Sequence, residues 1–344
     1  MLEGLPDEVR LPAAFAVALA LAFATTPLAR RVALATGFLD HPVGYKQHGR
    51  STPYLGGTAV LFGFLVAAAL FGDALSTYLT VVACAVGLAI VGTLDDRLGL
   101  MVAPRLAAHV AAAVALWWAG LGWDLFPGDA ADLMLTVVWV VALINAFNLM
   151  DNLDGAAGTV ASVCAAGTAA LAAIQGDAVL AAFALAISGA CAGFLPHNLA
   201  RPARIFLGDG GSTPVGFLVA AAIIAIPDGV LDWTTLLASA PLVGIPIFDT
   251  ALVVVSRRRR GARILAGARD HVTHRLVTVV RSPRRVALVL GVAQALLCLI
   301  SIQLHELGQT AALVGGLMLL ALGSLLLGVL EGAGPVTKRL ERMS

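Results

Sequence analysis

Eleven stretches of this chain are apolar for about as long as a helix needs to cross a bilayer, about 20 residues. They run roughly over 11–29, 55–72, 76–94, 103–122, 132–150, 156–174, 177–195, 211–227, 234–255, 285–304 and 309–330. Inside lipid a backbone has no water to bond, so such runs close their hydrogen bonds internally as helices. Hydrophobic residues make up 59% of the 344 and charged ones only 12%, where soluble domains are about a quarter charged. The expectation is therefore all-α: a polytopic membrane helical bundle of about 11 transmembrane helices, forming a single integral-membrane domain over 1–344. No basic n-region precedes the first run, so no cleavable signal peptide is expected. Four cysteines (Cys84, Cys164, Cys191, Cys298) lie within apolar runs, without disulfide or zinc spacing.

The charges fall on alternate sides of these spans. Loops after odd-numbered spans, with the C-terminal tail, carry 21 of the 22 lysines and arginines; Arg10 alone lies opposite, among eleven acids such as Asp73, Asp132, Asp177 and Glu306. By the positive-inside rule the N-terminus is outside and the C-terminus cytoplasmic, which requires an odd number of spans. The cytoplasmic loops, about 30–54, 95–102, 148–155, 196–210 and 256–284, then hold the chemistry. No nucleic-acid partner is expected.

Eight aspartates sit at or near the inner ends of spans: Asp40, Asp95, Asp96, Asp151, Asp154, Asp209, Asp249 and Asp270. Solvated loop charge accounts equally well for Asp40 and Asp270 taken singly. The adjacent pair in "VGTLDDRLGL" (91–100) is different, because neighbouring carboxylates repel and ionisable groups at membrane depth are costly. A divalent cation relieves both, since Mg²⁺ takes carboxylate oxygens and completes its shell with water and substrate phosphates. The alternative is capping of the next helix with pairing to Arg97. "FNLMDNLDGAAG" (147–158) places Asn148, Asp151, Asn152 and Asp154 at a helix junction; capping needs one such residue, not four. "FLGDGGSTPVGF" (206–217) is a glycine turn entering an apolar helix, where a free N-terminus favours phosphate. Its Asp209 is a candidate metal ligand, and its glycines would let backbone approach a ligand. In "DHPVGYKQHGRSTPYLGG" (40–57), Lys46, His48 and Arg50 suit phosphate or lipid headgroups. In "RRRRGARILAGARDHVTHRL" (257–276) the arginine run reads as a topology anchor. His271 and His274, beside Arg269, Asp270 and Arg275, suit phosphate better than a metal pair.

Carboxylates for a divalent cation, cations for phosphates and a glycine turn, all on one face, are the equipment of phosphoryl transfer, where positioning and charge neutralisation dominate. In this order the motifs "KQHGRSTPYLGG", "GTLDDRLGL", "NAFNLMDNLDGAAG", "FLPHN…IFLGDGGS", "PIFD" and "DHVTHRL" span about residues 40 to 276. The chain resembles the polyprenyl-phosphate N-acetylhexosamine-1-phosphate transferases, relatives of the phospho-MurNAc-pentapeptide translocase. The resemblance implies transfer of a sugar-1-phosphate, GlcNAc-1-phosphate by default, from a UDP-N-acetylhexosamine to a polyprenyl phosphate, with release of UMP, to initiate a cell-envelope glycan. It implies an Mg²⁺ cofactor, with Mn²⁺ as its substitute, a bacterial inner-membrane location with the active site facing the cytoplasm, and a homodimer among the partners.

Residue by residue, the resemblance makes Asp95, Asp96, Asp154, His271 and His274 catalytic. Lys46, Asn148, Asp151, Asn198, Phe206 and Arg269 become substrate-binding, and Asp209, Asp96 and Asp154 metal ligands. Direct attack by the acceptor phosphate, with Asp95 orienting or deprotonating it, is the expected route; a covalent aspartyl-phosphate is the other. This chain departs from the pattern at Thr273, where a histidine is usual, at Asn152, where glycine is commoner, and at Arg105, where lysine is common. A run of three consecutive histidines is absent, which points away from the peptidoglycan branch. A secondary transporter is the rival class, but transporters place carboxylates near the bilayer midplane and these collect at one face.

Overall fold

The computed structural model describes residues 5–40, 51–71, 78–226, 233–262 and 270–332. It is all-α apart from one short bridge. Helix α1 (Asp7–Thr36) leads to β1 (Leu39–Asp40), which pairs antiparallel with β2 (Thr52–Pro53), Leu39 opposite Pro53 and Asp40 opposite Thr52. There follow α2 (Gly56–Phe71), α3 (Leu79–Leu98), α4 (Val102–Trp118), α5 (Asp129–Met150), α6 (Ala156–Ile174), α7 (Ala178–Asn198) and α8 (Asp209–Ile224). The last described elements are α9 (Trp233–Ser239), a 3₁₀ turn (Ala240–Val243), α10 (Gly244–Arg259), α11 (Val272–Val280), α12 (Pro283–Leu307) and α13 (Gln309–Gly332).

Among the described residues eight helices are long and apolar enough to cross a membrane, with α9, the 3₁₀ turn and α10 taken as one. Three shorter apolar helices, α2, α4 and α8, occupy the predicted second, fourth and eighth spans. The molecule is thus a multi-pass membrane protein.

Helix α8 is the axis. Beyond the polar first turn of Asp209, Ser212 and Thr213 it is apolar all round, and every residue from Gly210 to Ile224 is buried, as expected of a helix without a solvent-facing side. Close approach puts it there. A Cβ on Gly57 of α2 would lie 2.2 Å from the Gly211 Cα, and one on Gly92 of α3 would lie 2.3 Å from the Asp209 carbonyl oxygen. Small residues drive such packing in lipid, where association rests on van der Waals contact. Peripheral α13, by contrast, leaves Leu317, Met318, Leu320 and Leu325 exposed.

The predicted ninth span, 234–255, is interrupted. Pro241 has no N–H to continue a helix and sits at the start of the 3₁₀ turn. Gln294 of α12, fully buried, repairs the break: its Oε1 accepts the Ile245 amide at 3.0 Å, and its Nε2 donates to the carbonyls of Pro241 and Leu242 at 3.0 and 2.9 Å.

Candidate active site

The helix ends carrying the sequence motifs gather at one end of the bundle. Helix α3 stops at Gly99, a left-handed C-cap whose amide bonds the Asp95 carbonyl, as glycine permits. That last turn presents two carboxylates in different directions. Asp95, 8% exposed, accepts the Leu100 amide at 2.7 Å on Oδ1 and the Arg105 guanidinium at 2.5 Å on Oδ2. Arg105, in the first turn of α4, also stands 3.5 Å from Asp209 Oδ2.

Asp96 accepts the amides of Asp209 on Oδ1 and of Gly210 on Oδ2, each at 3.1 Å. It caps α8, a helix 113 residues further along, rather than the next helix. Arg97 pairs with neither acid; it donates to the carbonyls of Thr36 and Gly37 and lies over the Phe38 ring. Gly208 makes the cap feasible. Its φ is +75°, and a Cβ there would stand 2.6 Å from Asp96 Oδ2. The other glycines of the turn do not face a ligand: Gly210 is packed against Thr93 and Gly211 against Gly57. Their freedom from a side chain is used for helix contact.

Helix α5 delivers Asn148, whose Nδ2 donates to Asp209 Oδ1 at 2.7 Å and to Ser212 Oγ at 3.1 Å. Asp151 follows at its C-cap. Burial pushes the Asp151 carboxyl well above the usual carboxylate range; the charges of Asp209, Asp96 and Asp154 push the same way, and the Gly208 amide pulls against them. Four acids from three places in the sequence therefore share one electrostatic neighbourhood. Asn198, 3% exposed, spends its amide on structure: Oδ1 accepts the Gly155 amide at 2.6 Å, and Nδ2 donates to the Ile205 carbonyl at 3.0 Å. It pins the Asp151–Asp154 loop to the segment ahead of α8. The backbone of Phe206 is tied to Pro53 and Gly56, and its ring faces Tyr54 with centroids 6.4 Å apart.

A short helix covers the same end. Asp249 of α10, 1% exposed, accepts His271 Nδ1 at 2.8 Å and the Val272 amide at 2.6 Å. A carboxylate at Nδ1 fixes the tautomer, with the proton on that nitrogen. The rings of His271 and His274 lie 5.8 Å apart. Thr273 Oγ1 donates to Asn152 Oδ1 at 2.5 Å, and Asn152 Nδ2 donates to the Leu149 carbonyl at 2.5 Å.

Three groups sit otherwise than the sequence suggests. Arg257 of the arginine run is 3% exposed and grips Asp270 in a two-pronged pair at 2.9 and 3.0 Å, with Arg260 adding 2.7 Å; Arg257 thus belongs to a buried ion cluster, while Arg258 and Arg259 stay exposed. Burial would raise the Asp270 carboxyl, but Arg257, Arg260 and His271 outweigh it and hold the group below its usual range. The Arg275 guanidinium is taken up by Glu331 at 2.6 Å, the Leu330 carbonyl at 2.7 Å and the Asp270 carbonyl at 3.3 Å. Asp40 is not solvated; it is buried beside Tyr54. Burial first, then a hydrogen bond to Asp40 and the charges of Asp40, Asp96 and Asp209, pushes the Tyr54 phenol upward. Lys46 and Arg269 lie outside the described residues.

Arg105, Asp249 and Tyr54 escaped assignment from sequence. Asp249 carried a usable signal, an ionisable residue inside a predicted span. Arg105 stood out only as an arginine at a position where lysine is common in the pattern the chain resembles.

Such a bundle, with carboxylates, an arginine and a histidine-bearing helix converging at one end, defines a membrane-embedded protein with a polar site between helix termini. The sequence profile described as glycosyl transferase family 4 matches residues 78–226. The chain is 30% identical over 343 residues to decaprenyl-phosphate N-acetylglucosaminephosphotransferase of Mycolicibacterium smegmatis, covering 88% of this chain and 84% of the relative. It is 29% identical over 295 residues to the probable undecaprenyl-phosphate N-acetylglucosaminyl 1-phosphate transferase of Bacillus subtilis, covering 82% and 81%. Against undecaprenyl-phosphate alpha-N-acetylglucosaminyl 1-phosphate transferase of Escherichia coli K12 the figures are 27% over 288 residues, 80% and 78%. The chain belongs to glycosyl transferase family 4.

Proposed function

We propose that this protein transfers GlcNAc-1-phosphate from UDP-GlcNAc to a polyprenyl phosphate, releasing UMP. The observation that carries this is the convergence of Asp96, Asp209, Asp151 and Asp154 in a chain similar over most of its length to transferases named for N-acetylglucosaminyl 1-phosphate and polyprenyl phosphate. An acceptor phosphate oxygen attacks the sugar-linked phosphorus of the donor; that P–O bond forms as the bond to UMP breaks. A phosphate monoester has its second pKa at about 6, so the acceptor is already a nucleophile at neutral pH and the obstacle is repulsion between anions.

The donor set fits a hard divalent cation. Among the described residues no three His, Cys, Asp or Glu side chains form a ready-made cage, but Mg²⁺ is commonly held by one or two carboxylates plus water and substrate phosphates. One or two of Asp209, Asp96 and Asp154 would hold it in this reading, with water and the donor's phosphates completing the shell. Each Asp96 oxygen keeps a lone pair beyond its capping bond. When bound, Mg²⁺, or Mn²⁺ in its place, supplies neutralisation of the diphosphate. Arg105, fixed by Asp95, faces the same charge; Asn148 holds Asp209 in place. Asp249 orients His271, so that helix α11 brings His271 and His274 to the donor's phosphate or sugar. Lys46 and Arg269 serve as further phosphate cations in this reading.

The one-sided distribution of basic residues supports eleven spans, counting α2, α4 and α8, with the N-terminus outside and the site at the cytoplasmic face of a bacterial inner membrane. Incubation of the purified protein with Mg²⁺, undecaprenyl phosphate and a panel of UDP-sugars tests the proposal. UMP release with UDP-GlcNAc is expected, and its absence with every donor refutes transfer.

A further inference from the structure

Two of the positions at which this chain departs from the pattern it resembles, Asn152 and Thr273, are 121 residues apart in sequence and bonded to each other in space. Thr273 is 1% exposed, so its hydroxyl has no water to fall back on and the bond to Asn152 Oδ1 satisfies it. The Asn152 amide is used at both ends: Nδ2 is held by the Leu149 carbonyl in the last turn of α5, which aims Oδ1 at α11.

The elements joined are the two halves of the candidate site. Asn152 lies between Asp151 and Asp154, and Thr273 between His271 and His274. Asp249 already fixes the entry of α11 through His271 and Val272, but from α10. The Asn152–Thr273 bond ties α11 directly to the acidic loop.

We propose that Asn152 and Thr273 form a positioning pair that sets the distance between the Asp151–Asp154 loop and the His271–His274 helix during transfer. Neither touches the reacting atoms in this assignment. Both partners are uncharged, so the tie does not titrate, unlike the ion pairs around it. The inference rests on the transfer reading above.

A double-mutant cycle on the full-length protein tests it, with UMP release and thermal unfolding both measured. Thr273→Val keeps the shape and removes the donor; Asn152→Ala removes the acceptor. Each is expected to lower kcat about tenfold, one hydrogen bond's worth, with KM for the UDP-sugar changed less than about twofold, as for lost alignment. The double variant should be no worse than the worse single one, and Thr273→Ser should restore kcat. Additive losses, a serine variant as slow as the valine one, or a lowered melting temperature with unchanged kcat would each overturn the pairing. Wild-type protein that releases no UMP would sink the transfer reading and this inference with it; active wild type with an additive cycle would sink this inference alone.

Discussion

At one end of the bundle Asp132 accepts the amides of Leu125 and Phe126, and Asp177 those of Val179 and Leu180. At the other, Asp96 accepts the amides of Asp209 and Gly210. The bonds are alike in type and length. What differs is whose amides they are. Asp177 caps its own helix; Asp96 caps a helix whose first residue is another aspartate, with Asp151 close enough to feel both. One end spends carboxylates singly on turns. The other uses a cap to bring carboxylates together, which costs stability that a bound cation would return.

Asp209→Asn should have the largest effect. The amide oxygen can still accept from Asn148, so the fold should survive while UMP release drops by about 10³-fold or more, the upper range for losing one aligned electrostatic group. Wild-type rates in a folded variant would remove Asp209 from the site.

Next is Asp270→Asn, which strands the buried Arg257; breaking such a pair costs about 3–5 kcal/mol, visible in thermal unfolding. The Asp270 carboxyl has a lower pKa folded than unfolded, so its stabilisation is complete above the ordinary carboxylate value and fades as pH falls through the lowered one. The variant's deficit should accordingly shrink in acid, and a deficit independent of pH would contradict the ion cluster. Arg105→Ala should slow turnover about 10²-fold, with lysine retaining part of the rate through charge alone; an alanine variant of normal rate would leave Asp95 without a partner worth holding. Smallest is Asp177→Ala at the opposite end, which should cost about 1 kcal/mol as a lost cap and leave UMP release unchanged. A large loss of activity there would erase the distinction between the ends.

Much of this was legible in the sequence because lipid leaves a backbone few choices. The apolar runs marked the helices, and the polar seams "LDDR", "MDNLDG" and "GDGGS" marked where they meet. Pairings across long separations left no local trace. Nothing near Asp96 announces that it caps α8, and nothing near Thr273 points to Asn152. Gly210 and Gly211 misled for a related reason: glycine permits close approach, but sequence does not say whether a ligand or another helix approaches. The structural bonds of Asn198, which hold two loops together through both ends of its amide, likewise left no local trace. Asp249 stood out as an aspartate near a span end, but its pairing with His271 left no trace beside it because His271 belongs to another element.

Gln294 has a consequence for how the molecule moves. A helix interrupted by proline would ordinarily be a joint, since its freed carbonyls could exchange partners as the two pieces swing. Here one side chain from α12 binds three backbone groups across the gap. In hydrocarbon those groups have nowhere else to go. The bend between α9 and α10 is therefore splinted: α10, with Asp249 near its start, keeps a fixed heading relative to α12, and His271 inherits that heading.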